Sequence, residues 1–336
     1  MPSASRAGRR RRAAAVLWTA VCLLAAGCGG TRAQGRSHAH PRGRPPVRVG
    51  AGRLPASIAA RLAPWTLAAP LSRAVVLPDG ADLLVVGGLT AADTSTSAIV
   101  RIDPRTGRAD RVGTLVRPTH DAAGAASGGR FLVFGGGSTT VYDLVQSFGT
   151  AAPRAATWSR LPQPRADLAT ATIAGVIYLV GGSDGAGLDA PVLATTDGRT
   201  FRPVASLPRP VRYAAVGALG PDLFVIGGSG GRTGRAIQRI DTRTGAAAVV
   251  GHLPFTLDHA AATVRDGALL VIGGEVDGRP SSAVWRLDPG SGRLRRVGTL
   301  PRAVAAPAVA TVGRVTYVVG GEDPLPLDTV IELRVG

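Results

Sequence analysis

The most regular feature of the chain is an apolar run closed by two glycines. It reads LLVVGG at 83–88, FLVFGG at 131–136, IYLVGG at 177–182, LFVIGG at 223–228, LLVIGG at 269–274 and TYVVGG at 316–321. The pairs Gly87 and Gly88, Gly135 and Gly136, Gly181 and Gly182, Gly227 and Gly228, Gly273 and Gly274, and Gly320 and Gly321 are spaced by 46 to 48 residues. A period of that size marks a repeat architecture. A second landmark fixes the register, because a leucine stands 20 residues before every pair: Leu67, Leu115, Leu161, Leu207, Leu253 and Leu300. Three residues before the leucine the column is Val112, Trp158, Val204, Val250 and Val297, with only Pro64 departing.

Each unit predicts four short strands. From seven residues after the leucine the side chains are small and apolar, and a turn such as Asp79-Gly80, Gly128-Gly129 or Asp266-Gly267 follows. The run that ends in the glycine pair is nearly continuous in apolar residues, as a strand buried on both faces requires. A loop of varying length leads to a third strand (AIVRID, AIQRID or AVWRLD), which ends in Asp-Pro-Arg-Thr-Gly, Asp-Thr-Arg-Thr-Gly or Asp-Pro-Gly-Ser-Gly. These are hairpin-turn residues. The fourth strand carries the valine or tryptophan column.

Six such units without helical periodicity predict an all-β, six-bladed β-propeller with four antiparallel strands per blade. Inner strands that converge on one axis need small side chains, and the glycine pair permits a close backbone approach or a positive φ. The sixth unit ends at Gly336 after its third strand. Its fourth strand is therefore expected from the N-terminal side of the repeats, with residues 64–67 hydrogen-bonded beside 329–334, which removes an exposed edge.

The doubled glycine after an apolar strand, the small-residue inner strand, Tyr142-Asp143 and TWSRLPQPR at 157–165 resemble kelch repeats. The resemblance covers roughly residues 61–336 and implies a kelch-type propeller, a scaffold used by enzymes and by binding modules alike. The fourth-strand aromatic is tryptophan only at Trp158, and the tyrosine before the turn aspartate is mostly Ile or Leu. Both are changes of packing.

Upstream of the repeats the chain changes character. A basic run at Arg9–Arg12, an apolar stretch over 13–26 and AAGC ending at Cys28 read as an export signal. The apolar stretch is short for a membrane-spanning helix. The segment resembles a bacterial lipoprotein signal, which implies cleavage before Cys28 and a lipid on that cysteine. Residues 29–60 lack hydrophobic periodicity and are rich in Gly, Pro and Arg, as in a flexible tether. His38 and His40 within it form an isolated pair that falls short of a metal site. The domain organisation expected is a lipoprotein signal over 1–28, a basic tether over 29–60 and a propeller over 61–336.

Charge narrows the function. The formal charge is +17, all of it from 39 arginines against 22 acids. Eleven arginines and no acids fall in residues 1–60, so 61–336 carries 28 arginines and 22 acids, or +6. With aromatics at 4% and no basic, aromatic-bearing motif, a nucleic-acid partner is not expected. Both cysteines, Cys22 and Cys28, lie in the signal, so the exported domain has no thiol for a disulfide, a metal or a tyrosine–cysteine radical centre. There is neither a nucleophile elbow nor a phosphate-binding Gly-Lys-Ser/Thr motif. No cofactor and no metal are expected.

In kelch-type propellers the ligand face is commonly built from the loops joining fourth to first strands and second to third strands. Carried over by position, the candidates lie four to six residues after each landmark leucine. They are Arg73; His120 and Asp121; Arg165 and Asp167; Arg212 and Tyr213; Asp258 and His259. The last unit offers only Val304, Ala305 and Ala306. The expected role is a monomeric, non-catalytic binding module for a protein or a cell-envelope glycan. The alternative is a carbohydrate-active enzyme such as a sugar mutarotase or epimerase, with rim His and Asp residues moving protons.

Overall fold

The computed structural model of the chain describes residues 58–149, 154–230 and 234–336. The expected export signal with Cys28, and the tether over 29–57, lie outside the described residues. Within them the chain is all-β and folds as a β-propeller: six four-stranded antiparallel sheets stand in sequence, each with the first strand of its repeat unit at one edge. The first sheet runs Val75–Asp79, Asp82–Val86, Ala98–Ile102 and Ala109–Thr114. The next four repeat it, their first strands being Ala123–Ser127, Ala169–Ile173, Ala215–Leu219 and Ala261–Arg265. The sixth combines Ala308–Val312, Val315–Val319 and Val330–Val335 with a strand from the other end of the domain, Ile58–Leu62.

That pairing differs from the expected one. Ile58–Leu62 lies opposite Val335 to Ile331, so residues 58–60, expected in the tether, are strand. Residues 64–67 are the passage beyond it, with the Leu67 amide donating to the Asp328 carbonyl at 2.8 Å. The cause is a bulge. In the first five sheets the register of the fourth strand slips by one residue, and the residue left without a partner is Val112, Trp158, Val204, Val250 or Val297. The column three before the leucine is thus a β-bulge, which bends and twists the outer strand. In the sixth sheet Leu62, five before Leu67, opposes Ile331. In the first sheet the corresponding residue, Arg111 opposite Val100, is only four before Leu115. The extra residue accommodates Pro64, which has no N–H to give the ladder. Trp65 then packs beneath the Asp103 turn of the first sheet and donates its Nε1–H to the Pro104 carbonyl at 3.0 Å. Trp158 does the same for the third sheet, donating to Asp197 at 2.8 Å.

The glycine pairs are the joints between sheets. The second glycine donates its amide to the carbonyl of the residue four past the next landmark leucine: Gly88 to Thr119, Gly136 to Arg165, Gly182 to Val211, Gly228 to Leu257, Gly274 to Val304 and Gly321 to Leu71, all at 2.8 to 3.0 Å. A Cβ on the first glycine would overlap that same carbonyl oxygen at every joint. The first glycine therefore needs its missing side chain, and both glycines sit at positive φ. The second strands fill the space between neighbouring sheets, with Leu83, Leu132, Val133, Ile177, Leu179, Leu223, Leu269 and Leu270 fully buried. At about 25 cal/mol per Å² of apolar surface withdrawn from water, each such leucine contributes roughly 2 kcal/mol. With no cysteine after Cys28, packing of this kind carries the stability of the domain.

Candidate functional site

The residue six past each landmark leucine has left-handed backbone in all six units. These are Arg73, Asp121, Asp167, Tyr213, His259 and Ala306, with φ between 46° and 60°. An L side chain rarely adopts that conformation. A ring of backbone hydrogen bonds holds it here. The amide of Asp121 donates to the carbonyl of Arg73, Asp167 to Asp121, Tyr213 to Asp167, His259 to Tyr213, Ala306 to His259 and Arg73 to Ala306, at 2.8 to 3.4 Å. The residue before each of these pairs with the residue that directly follows the next glycine pair in the chain, as in His120 with Gly137, Arg212 with Ser229, Asp258 with Glu275 and Ala305 with Glu322. The two loop families expected to form a ligand face thus meet around the central axis.

Two cavities share this ring. An outer cleft of about 240 Å³ is lined by Arg73, His120, Asp121, Asp167, Arg212 and Tyr213 together with Ser138, Thr139, Thr140 and Ser183. A second space of about 160 Å³ is lined by Arg73, Asp121, Asp167, Tyr213, His259 and the small residues Ala74, Ala122, Ala214 and Ala260. Four ring side chains line both. Each cavity is smaller than the usual drug-sized site.

The charges are tightly engaged. Arg73 donates from Nε to Glu322 Oε1 at 2.8 Å, from Nη2 to Glu322 Oε2 at 3.4 Å and from Nη1 to Asp121 Oδ2 at 3.3 Å. Burial opposes the guanidinium charge, but Glu322 and Asp121 outweigh it and hold Arg73 protonated beyond its ordinary range. The Asp121 carboxyl is pushed up by burial, against the pull of Arg73. Asp167 is pushed up to about 6, first by burial and then by the neighbouring Asp121 charge, while Tyr213, Arg212 and Arg73 resist the shift. Burial and the two aspartates raise Tyr213, whose ring stacks on His259 with centroids 3.9 Å apart. His259 Nδ1 bonds Asp258 Oδ1 at 2.9 Å, and Ser229 Oγ donates to Asp258 Oδ2 at 2.7 Å. These bonds overcome burial and hold Asp258 below the usual carboxylate range. His120 Nδ1 bonds Ser95 Oγ at 2.8 Å, and burial together with the Arg73 charge lowers its pKa.

The structure therefore gathers Arg73, His120, Asp121, Asp167, Arg212, Tyr213 and His259 around the mouth, with Asp258 behind His259. It does not bring Arg165 there. Arg165 is 1% exposed, its Nε lies 3.3 Å from the buried Asp189 carboxylate, and Nη1 donates to the Pro191 carbonyl at 3.1 Å. Its own column explains the difference: Leu71, Thr119, Val211, Leu257 and Val304 occupy the same position in the other units and face the joint between sheets. The sequence reading also missed Glu322 and Glu275. Both directly follow a glycine pair, a column that reads Leu89, Gly137, Ser183, Ser229, Glu275 and Glu322. Its change from blade to blade beside an unchanging pair was the available signal. Asp258, His259 and Glu275 each place a ligand-type atom within 4.8 Å of the others. Their hydrogen bonds to one another and to Ser229 already account for the arrangement.

No family model matches the chain, and no curated protein matches it in sequence. Among solved structures, that of YjhT aligns with a TM-score of 0.66 at 16% identity, covering 80% of this chain and 95% of that one. At that identity the likeness shows the fold alone.

Proposed function

We propose that the chain is an extracytoplasmic six-bladed propeller of kelch type, tethered to the membrane by a lipid on Cys28, that binds a cell-envelope glycan at the mouth of its channel without transforming it. The observation that carries the reading is the left-handed ring. Six equivalent backbone positions are fixed identically, yet five of them bear Arg, Asp, Asp, Tyr and His, all directed at one concave space. The scaffold needs none of these side chains, because Ala306 holds the sixth position with the same backbone. A small, hydroxyl-lined concavity favours a sugar over the flat face of a protein. The closure through Ile58–Leu62, the six head-to-tail joints and the repeat period support the six-bladed assignment; the doubled glycines and Tyr142-Asp143 support the kelch type. The AAGC segment at 25–28 supports the anchor.

The test is co-sedimentation of the folded domain with purified, insoluble envelope glycan. A variant with Arg212→Ala and Tyr213→Ala keeps the ring backbone and should lose the association. Equal sedimentation of both proteins would remove the mouth as the ligand face.

One observation favours a second reading, a sugar-transforming enzyme. Asp121 and Asp167 are neighbouring carboxyls whose surroundings raise both, one of them to about 6, and such pairs divide acid and base roles. In that case Asp167, one of the rim His and Asp residues expected from sequence, moves the proton. Loss of mutarotation by Asp167→Asn with sugar binding intact would establish this reading; binding without turnover by the wild type would dismiss it.

A further inference from the structure

The charge of the domain is sorted by position. Among the described residues from 61 onward, the loops of the mouth face, from each landmark leucine to the inner strand and from each glycine pair to the third strand, contain 12 of the 22 acids but only 8 of the 27 arginines. The strands and the opposite turns contain 10 acids and 19 arginines. A basic domain thus presents an acidic mouth, and a concave, low-dielectric opening of one sign draws in ions of the other.

The two arginines that line the cavities, Arg73 and Arg212, are already engaged. All three nitrogens of Arg73 bond Glu322 or Asp121. Arg212 bonds Asp167 at 3.3 Å. An arriving anion would have to displace one of these carboxylates. The carboxylates share those same bonds but are in surplus, Asp121, Asp167 and Glu322 sharing the two guanidiniums of Arg73 and Arg212, so an arriving cation meets uncompensated negative charge. Asp121 and Asp167 occupy adjacent ring positions, the Asp167 amide donating to the Asp121 carbonyl at 2.9 Å. Their side chains are 10% and 7% exposed and both face the outer cleft. The hydroxyls of Ser138, Thr139, Thr140 and Ser183 line the same cleft. A lysine side chain offers nothing to that wall, whereas a sugar ring bearing an ammonium group meets both the carboxylates and the hydroxyls.

We propose that the mouth takes a hexosamine residue with an unsubstituted amine, its ammonium between Asp121 and Asp167 and its hydroxyls against the Ser138 to Thr140 wall. The inference rests on the reading of the mouth as the glycan-binding face and specifies the glycan. Occupancy by a cation offsets the burial that raises both carboxyls, so binding near pH 6 expels a proton from Asp167. The groups facing Asp167 in that titration are Asp121, Tyr213, Arg212, Arg73 and His120.

Calorimetry at pH 6 to 7 in two buffers of different ionisation heat tests this, with three probes: fully deacetylated chitotriose, tri-N-acetylchitotriose and trilysine. The deacetylated trimer should bind at least tenfold more tightly than either of the others. Its binding should release protons near pH 6 and should weaken at least tenfold in both Asp121→Asn and Asp167→Asn, with thermal unfolding confirming that each variant is folded. Equal affinity for the acetylated trimer, lost in both variants, would overturn the inference while leaving the mouth as the ligand face. Equal affinity for trilysine would overturn the hexosamine assignment, and so would a failure of all three probes to bind. Binding of the deacetylated trimer that neither variant changes would overturn both the inference and the reading of the mouth.

Discussion

The amide of Gly321 donates to the carbonyl of Leu71 at 3.0 Å, joining the last glycine pair of the chain to its first loop by the bond that Gly136 makes to Arg165 at 2.9 Å. This contact links the last repeat of the chain to the first. It also states what the first glycine of each pair is for, since a methyl group at Gly320 would overlap the same Leu71 oxygen.

Substituting Gly135 by alanine should therefore cost more than about 3 kcal/mol, combining backbone strain at positive φ with displacement of a neighbouring carbonyl. Gly129 is the control. It also has positive φ, but its surroundings are open, so Gly129→Ala should cost only about 1 kcal/mol. Urea unfolding of both variants measures the difference.

The left-handed ring predicts a stabilising change. Ala306 has φ of 46° with a side chain that makes no polar contact, and the left-handed conformation costs a non-glycine residue roughly 1–2 kcal/mol. Ala306→Gly should raise stability by about 1 kcal/mol, less the greater entropy of the unfolded glycine. Thermal unfolding reads it directly.

Asp167 links stability to pH. Its carboxyl titrates near 6 in the folded protein, against an unfolded value of 3.8. Below about pH 4 both states hold the proton. Between 4 and 6 only the folded state does, so stability falls as pH rises through that window and is level above it. A displacement of about two pH units corresponds to roughly 3 kcal/mol. Asp167→Asn should abolish most of this slope and make the domain more stable at pH 7 by about 1–3 kcal/mol, as followed by urea unfolding from pH 4 to 7. A variant less stable than the wild type at pH 7 would refute the assignment.

Arg165 and Asp189 are 1% and 3% exposed, and burial lowers the pKa of the first and raises that of the second. Burial thus works against both charges. Removing one partner strands the other, so Arg165→Met should cost about 3–5 kcal/mol, while adding Asp189→Leu should recover much of it. Neither change should alter ligand binding at the mouth.

The repeat period, the glycine pairs and the landmark leucines were legible because the same packing recurs in every sheet and leaves the same residues behind. The bulge column was visible as a column but not as a bulge, since a valine in register and a valine out of register look alike. The place of the N-terminal strand was misjudged by a few residues because Pro64 widens that bulge. Arg165 was misplaced for another reason: its charge outweighed five mostly apolar neighbours in the same column. The ring residues were named individually, but their shared left-handed backbone is a property of hydrogen bonds between blades, which no single repeat displays. Glu322 escaped notice because its partner Arg73 is 249 residues away along the chain.

The most direct test of the account is chemical-shift mapping of the isotopically labelled domain during titration with soluble fragments of envelope glycan. The amides of Asp121, Asp167, Tyr213 and His259, which form the ring, should move together and saturate at one ligand concentration. Shifts confined to outer-strand residues such as Arg61, Arg202 and Arg295, with the ring amides silent, would contradict it.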